Sequence, residues 1–123
     1  MKIERFEDVE GWKLGCKLAN IVYDFTAQDP FYRDFGLRDQ IQRAAGSVMH
    51  NVAEGFDAGS NPEFCRFLGY SKRSCTEVQS ELYLASDRGY ITSDEFKTAY
   101  KLAGEAKAAV GGFIHYLQNN PKP

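Results

Sequence analysis

His50 stands four residues before Glu54 in this 123-residue chain, and Glu77 four before Glu81. On a helix that spacing puts both members of a pair on one face, and bundles build metal centres from such faces. Di-iron bundles, however, take Glu-x-x-His from two helices and further glutamates from the others. No Glu-x-x-His occurs here, and His115 has Gly112 three residues before it. Solvated or salt-bridged faces are therefore the expectation, with no metal and no cofactor. Cys16, Cys65 and Cys75 include no CxxC pair, and no base stands beside them to make one a nucleophile. Ala44-Ala45-Gly46-Ser47 lies within a helical pattern rather than between a strand and a helix, so it is not a phosphate loop. No catalytic residue and no small-molecule substrate are assigned. The chain reads as a non-enzyme.

Binding is the chemistry that remains. Arg33, Arg38 and Arg43 fall within eleven residues, and Arg66, Lys72 and Arg73 within eight. The second set has no acid between its ends and includes Phe67 and Tyr70. Guanidinium and ammonium groups beside aromatic rings suit phosphates and stacked bases. Arg43, Arg66, Lys72 and Arg73 are the candidate nucleic-acid contacts, to RNA or DNA, and a solvated charged face is the competing reading. Asn51 falls at an apolar seam position. A buried amide there needs partners, and polar seam residues can fix register or oligomer state. Structural specification and a direct ligand role both stand for it.

The elements that must position these groups follow from composition and period. One domain over residues 1–123 is expected, large enough for a single core. A net charge of −2 supplies no global positive field. The opening MKIERFEDVE carries four acids and no apolar run, so it is not read as a signal peptide. No apolar stretch approaches the roughly 18 residues of a membrane span. An odd set of cysteines without a secretion signal points to reduced thiols in the cytoplasm.

Four segments alternate apolar residues at three and four, the period of helices packed on helices. They predict an all-α, up-and-down antiparallel four-helix bundle, with helices near 9–27, 36–55, 61–89 and 93–118. Asp8 is expected to cap the first, and Asp29-Pro30 to end it. Phe31, Tyr32 and Phe35 are expected to pack over one end of the bundle. The second follows Leu37, Ile41, Ala44, Val48, Asn51 and Gly55, with Gly55 as a left-handed terminus. Ser60-Asn61-Pro62-Glu63 opens the third in either of two capping registers, and Gly89 closes it. Thr92 and Glu95 form a capping box for the fourth. The first helix carries two stripes: Val9, Trp12, Cys16, Ala19, Tyr23 and Thr26, and beside them Leu14, Leu18, Ile21 and Phe25. The second stripe is read either as extra burial or as an oligomer contact.

The second segment also carries a resemblance. Gln40, Ile41, Arg43, Ala44, Ala45, Ser47, Val48, Asn51, Val52, Ala53, Glu54 and Gly55 resemble the QIxRAAxSIxxNIAEG signature of proteins encoded in intervening sequences of bacterial 23S rRNA genes. Phe6, Val9 and Trp12 resemble that family's FxxLxxW opening. Arg66-Phe67-Leu68 to Glu77 resembles its RFLxxAxGSLxE segment, with Ser71, Arg73 and Cys75 departing from it. Arg88-Gly89-Tyr90-Ile91 resembles its LGYI turn. The resemblance covers about residues 6 to 117. It implies an up-and-down four-helix bundle, homopentameric rings, and kinship with the accessory variability determinant of diversity-generating retroelements, a basic protein that associates with nucleic acid. Gln40, Arg43, Ser47, Asn51, Glu54 and Gly55 are the motif residues carried over. A bacterial protein that assembles, with or without nucleic acid, is the resulting expectation.

Overall fold

A computed structural model describes residues 3–120, which form α1 (Glu10–Thr26), α2 (Phe35–Phe56), α3 (Asn61–Asp87) and α4 (Ser93–Asn119). Met1 and Lys2, part of the opening read above, and residues 121–123 lie outside the described residues. Each helix packs on its chain neighbour, and α1 against α4 closes the square. No strand occurs among the described residues. The bundle and its four helices are as the periodicity predicts, with boundaries within two residues.

Local chemistry explains the ends. Asp34 caps α2, accepting from the Leu37 amide at 3.1 Å. Ser60 caps α3 by accepting from the Glu63 amide, which decides between the two registers. Thr92 and Glu95 bond each other's backbone amides, at 3.1 and 2.8 Å, in a reciprocal box on α4. Gly89 alone among the described glycines takes a left-handed conformation, φ 74°. There the Tyr90 amide bonds the Ala85 carbonyl and α3 ends. Asp8 does not cap α1. Its carboxylate accepts from the amides of Glu4 and Arg5, closing the short 3-10 turn Phe6–Asp8 instead. Those bonds hold the Asp8 carboxyl below its ordinary range.

Two apolar clusters stack along the bundle. The upper one contains Leu18, Val22, Phe31, Ile41, Val48, Val78 and Leu82. The lower one contains Val9, Val52, Phe64, Leu68, Val110 and Leu117. On α3 every seam residue from Phe64 to Ala85 is buried.

On α1 the burial differs from both predicted stripes. Its buried line runs Gly11, Gly15, Leu18, Val22 and Phe25, at steps of four, three, four and three. The first two places are glycines because neighbours lie too close for a side chain. A Cβ on Gly11 would sit 2.6 Å from a Val110 methyl, and one on Gly15 2.8 Å from Val48. Leu18 (0% exposed) and Phe25 (9%) are therefore core residues, and Leu14 and Ile21 lie half-buried against the core. Of the two readings of the second stripe, extra burial is the one the structure shows. Tyr23, expected inside, is 54% exposed.

α1 has 17 residues against 27 in α3 and in α4, about 15 Å less at 1.5 Å per residue. It begins level with Val110, so the last turns of α4 run past it. A groove of about 1180 Å³ opens there, walled by Phe56, Phe64, Phe113, Tyr116 and Leu117.

Candidate functional site

The basic candidates do not converge. Arg66 and Arg73 stand two turns apart on the outer face of α3, each guanidinium over a ring of its own helix. Arg66 lies 5.5 Å from the Phe67 centroid and Arg73 5.7 Å from that of Tyr70. Arg66 is also paired with Glu63. Lys72 turns to the other side, its stem over Gly111 of α4. Arg43 belongs to α2 and faces the acidic side chain of Glu81. Two of the four, Arg66 and Arg73, thus share a surface with Tyr70.

The motif residues run along one side of α2. Gln40, Arg43 and Glu54 are exposed, while Ser47 and Asn51 are half-buried. Asn51 is not the buried seam amide that the spacing predicts. Its Nδ2 donates to the carbonyl and hydroxyl of Ser47, at 2.9 and 3.2 Å, one turn back on the same helix. The seam passes through Val52 (0% exposed) instead. The polar bridge between α2 and α3 is Ser71, fully buried, whose Oγ donates to the Val48 carbonyl at 2.8 Å. Gly55 is no left-handed terminus, since α2 continues through Phe56. A Cβ at Gly55 would meet Phe64 and the Phe67 Cβ at 2.8 and 2.9 Å. Close helix contact explains this glycine.

The two ionisable pairs differ in depth. His50 and Glu54 are both solvent-exposed on α2. Glu77 is exposed, whereas Glu81 is only 8% exposed and its Oε1 has no hydrogen-bond partner. Burial, and then Glu77 beside it, push the Glu81 carboxyl up to about 8, against a smaller opposing pull from Arg43. Among the described residues no three His, Cys, Asp or Glu side chains gather into a metal-binding group.

Cys75 is buried in the upper cluster, its thiol pushed up to about 11 by burial. Cys65 is half-buried with its thiol also raised by burial, and Cys16 is half-buried. High thiol values make poor nucleophiles at neutral pH.

Three features escaped the sequence reading. Tyr83 (54% exposed) stands against the rings of Phe96 and Tyr100, at 5.0 and 5.6 Å, beside Leu84 (49% exposed). Tyr32 and Phe35, expected to pack inward, are instead exposed with the Arg38 guanidinium 5.0 and 4.8 Å from their centroids. Phe31 alone of that trio is buried, stacked on Tyr90, whose hydroxyl donates to Asp34 at 2.8 Å. A three-residue cap spacing marked neither Asp34 nor Tyr90, because their partnership spans 56 positions.

No helix among the described residues is long and apolar enough to cross a membrane. No curated protein matches the chain. A solved structure from Bacteroides thetaiotaomicron, described as a protein of unknown function from the S23 ribosomal protein family, superposes with a TM-score of 0.77. It is 20% identical, and the match covers 85% of this chain and 97% of that one, a likeness of fold. The family profile described as 23S rRNA-intervening sequence protein matches residues 7–112. Together with the bundle and the motif positions on α2, that match shows that the chain belongs to the 23S rRNA-intervening sequence protein family.

Proposed function

We propose that this protein is a non-catalytic, cytoplasmic assembly module that works as a homo-oligomer. The observation that carries this reading is the exposed pair Tyr83 and Leu84 on α3, backed by Phe96 and Tyr100 of α4. Large apolar groups clustered in water favour a partner, because burying each is worth about 1.5–3 kcal/mol. Tyr70 and Arg73 are exposed on the same helix, and tyrosine and arginine are enriched at the centres of interfaces. The likeness to ring-forming relatives makes a pentamer the expected size. A ring requires this ridge to meet a different surface on the next subunit. Light scattering in dilute neutral buffer tests the reading. A particle several times the 13.9 kDa chain supports it, a 14 kDa particle overturns it, and Leu84→Glu should lower the mass. Leu18→Glu, by contrast, places a charge in the core and should unfold the chain.

A second reading rests on the two ring-backed guanidiniums. Arg66 and Arg73, with Tyr70 between them, form a short strip that fits phosphates and one stacked base. Five-fold repetition would multiply a strip too weak alone. Binding to single-stranded RNA that weakens steeply with salt, and is lost in Arg66→Ala/Arg73→Ala, supports this reading. Salt-independent or absent binding leaves assembly as the function.

A further inference from the structure

We propose that Glu81 is a proton-binding site built into the crease between α2 and α3: its buried carboxyl shares a proton with Glu77, and release of that proton loosens the packing of the two helices.

The geometry states the problem. Glu81 lies one turn beyond Glu77, both on the side of α3 that meets α2. The Glu81 side chain is more than nine-tenths removed from water, and Oε1 is wholly buried without a donor. The nearest acid is Glu77, one turn back on the same helix, whose carboxyl stands beside it. Two carboxylates have acceptors only, so a bond between them exists only when one holds a proton. A neutral acid at Glu81 accounts for both observations. It supplies the donor toward Glu77, and it spares the interior an unpaired charge with an orphaned oxygen.

The surroundings reinforce this reading. The charged groups acting on Glu81 are Glu77 from its own helix and Arg43 from α2. Arg38 and Asp39, elsewhere on α2, engage each other at 2.9 Å. Across the other side of α3, Gln79 and Tyr83 meet α4 through the Tyr100 carbonyl and the rings of Phe96 and Tyr100, none of them charged at neutral pH. Arg43 is exposed, so it offsets only part of the charge that appears when the pair loses its proton to bulk water. Two full charges side by side then repel, and the crease must open to hydrate them. Arg43, a family-motif residue, thereby acquires a role: it faces the acid pair rather than a distant ligand.

The sign follows from linkage. Folded, the Glu81 carboxyl titrates near 8; unfolded, it returns to its ordinary value near 4.5. Between those limits the folded chain holds a proton that the unfolded chain has lost. The stabilisation is complete below about 4.5 and is lost as pH rises through about 8. This runs opposite to the usual behaviour of a paired carboxylate.

Two measurements on the full chain test the proposal. Thermal unfolding of wild type should lose at least about 4 °C of Tm between pH 6 and pH 9. Glu81→Gln, which keeps the shape and supplies a permanent donor, should flatten that profile and melt higher than wild type at pH 9. Glu54→Gln, an exposed control on α2, should keep the wild-type profile. Parallel profiles for wild type and Glu81→Gln would overturn the proposal. Should that variant fail to fold, carbon-13 carboxyl shifts of wild type decide alone. A Glu81 carboxyl carbon titrating near neutrality supports the site, and one titrating below pH 5 overturns it. Arg43→Gln should move the midpoint further upward.

Discussion

The two ends of the bundle are built on different plans. At the upper end, where α1 and α3 finish and α2 and α4 begin, the loop and cap side chains Asp34, Tyr90, Thr92 and Glu95 all have partners. Asp34 serves two partners at once, the Leu37 amide and the Tyr90 hydroxyl. Tyr90 stacks on buried Phe31 at 4.9 Å, Gly89 turns the chain, and the Thr92–Glu95 box seals α4. At the lower end the late start of α1 leaves a groove. Its aromatic walls meet edge to face, Phe56 on Phe64 and Phe64 on Phe113, with Tyr116 stacked on Phe113. Asn61 keeps a buried Nδ2 there without an acceptor. One end is closed by directional bonds among residues far apart in sequence. The other is closed by interlocking rings. The contrast shows that a bundle with four sound seams can still concentrate its specificity at one end.

The largest test of that contrast is Phe31→Ala, which empties a fully buried ring site and should cost about 3–5 kcal/mol in chemical denaturation. Phe113→Ala, at the half-buried lower end, should cost about 1–2 kcal/mol. Equal costs would erase the distinction. Tyr90→Phe comes next and probes the directional bond itself. The Leu37 amide and the Tyr90 hydroxyl hold the Asp34 carboxyl below its ordinary 3.8. That contribution is present above 3.8 and is lost as pH falls through the lower folded value. Wild type should therefore melt above Tyr90→Phe at pH 7, with the gap closing as pH falls below 3.8 through the lower folded value. A gap that persists in strong acid would assign the difference to packing. Asn61→Ala should have the smallest effect, within about 0.5 kcal/mol or stabilising, because it deletes a donor that has no partner. A large loss would mean that the lower end is as tightly specified as the upper. Amide exchange offers a mutation-free check. The last two turns of α4 should exchange faster than the first two of α2.

Much of this fold was legible because three helices display their seams in large or medium apolar residues. On α3, Phe64, Leu68, Cys75, Val78 and Leu82 are all buried where the spacing placed them. α1 was misread for a physical reason. Two of its five core positions are glycines, which carry no apolar signal although they mark the closest helix contacts. Asn51 and Gly55 were misassigned for a related one. Sequence spacing cannot distinguish Asn51 from its neighbour Val52 at the seam, and Gly55 serves helix contact rather than chain reversal. For the candidate sites, spacing identified Glu77 with Glu81 as sharing a face. The depth at which one of them sits depends on how α2 covers α3, which no local pattern records. Arg66 and Arg73 were grouped with Lys72 by proximity in sequence, yet one residue of helix is a turn of about 100°, and Lys72 faces α4.

Ser71 has a consequence for how the α2–α3 hairpin keeps its place along its own axis. A purely apolar seam resists separation better than it resists sliding, since each side chain finds another apolar slot one turn away. The Ser71 hydroxyl reaches a single carbonyl, that of Val48. A slip of one residue, about 1.5 Å, would strand that hydroxyl in a dry interior. The hydroxyl therefore acts as an indexing pin. It lets the hairpin be lengthened or trimmed at its loop, by way of Asp57 to Gly59, without the two helices losing phase.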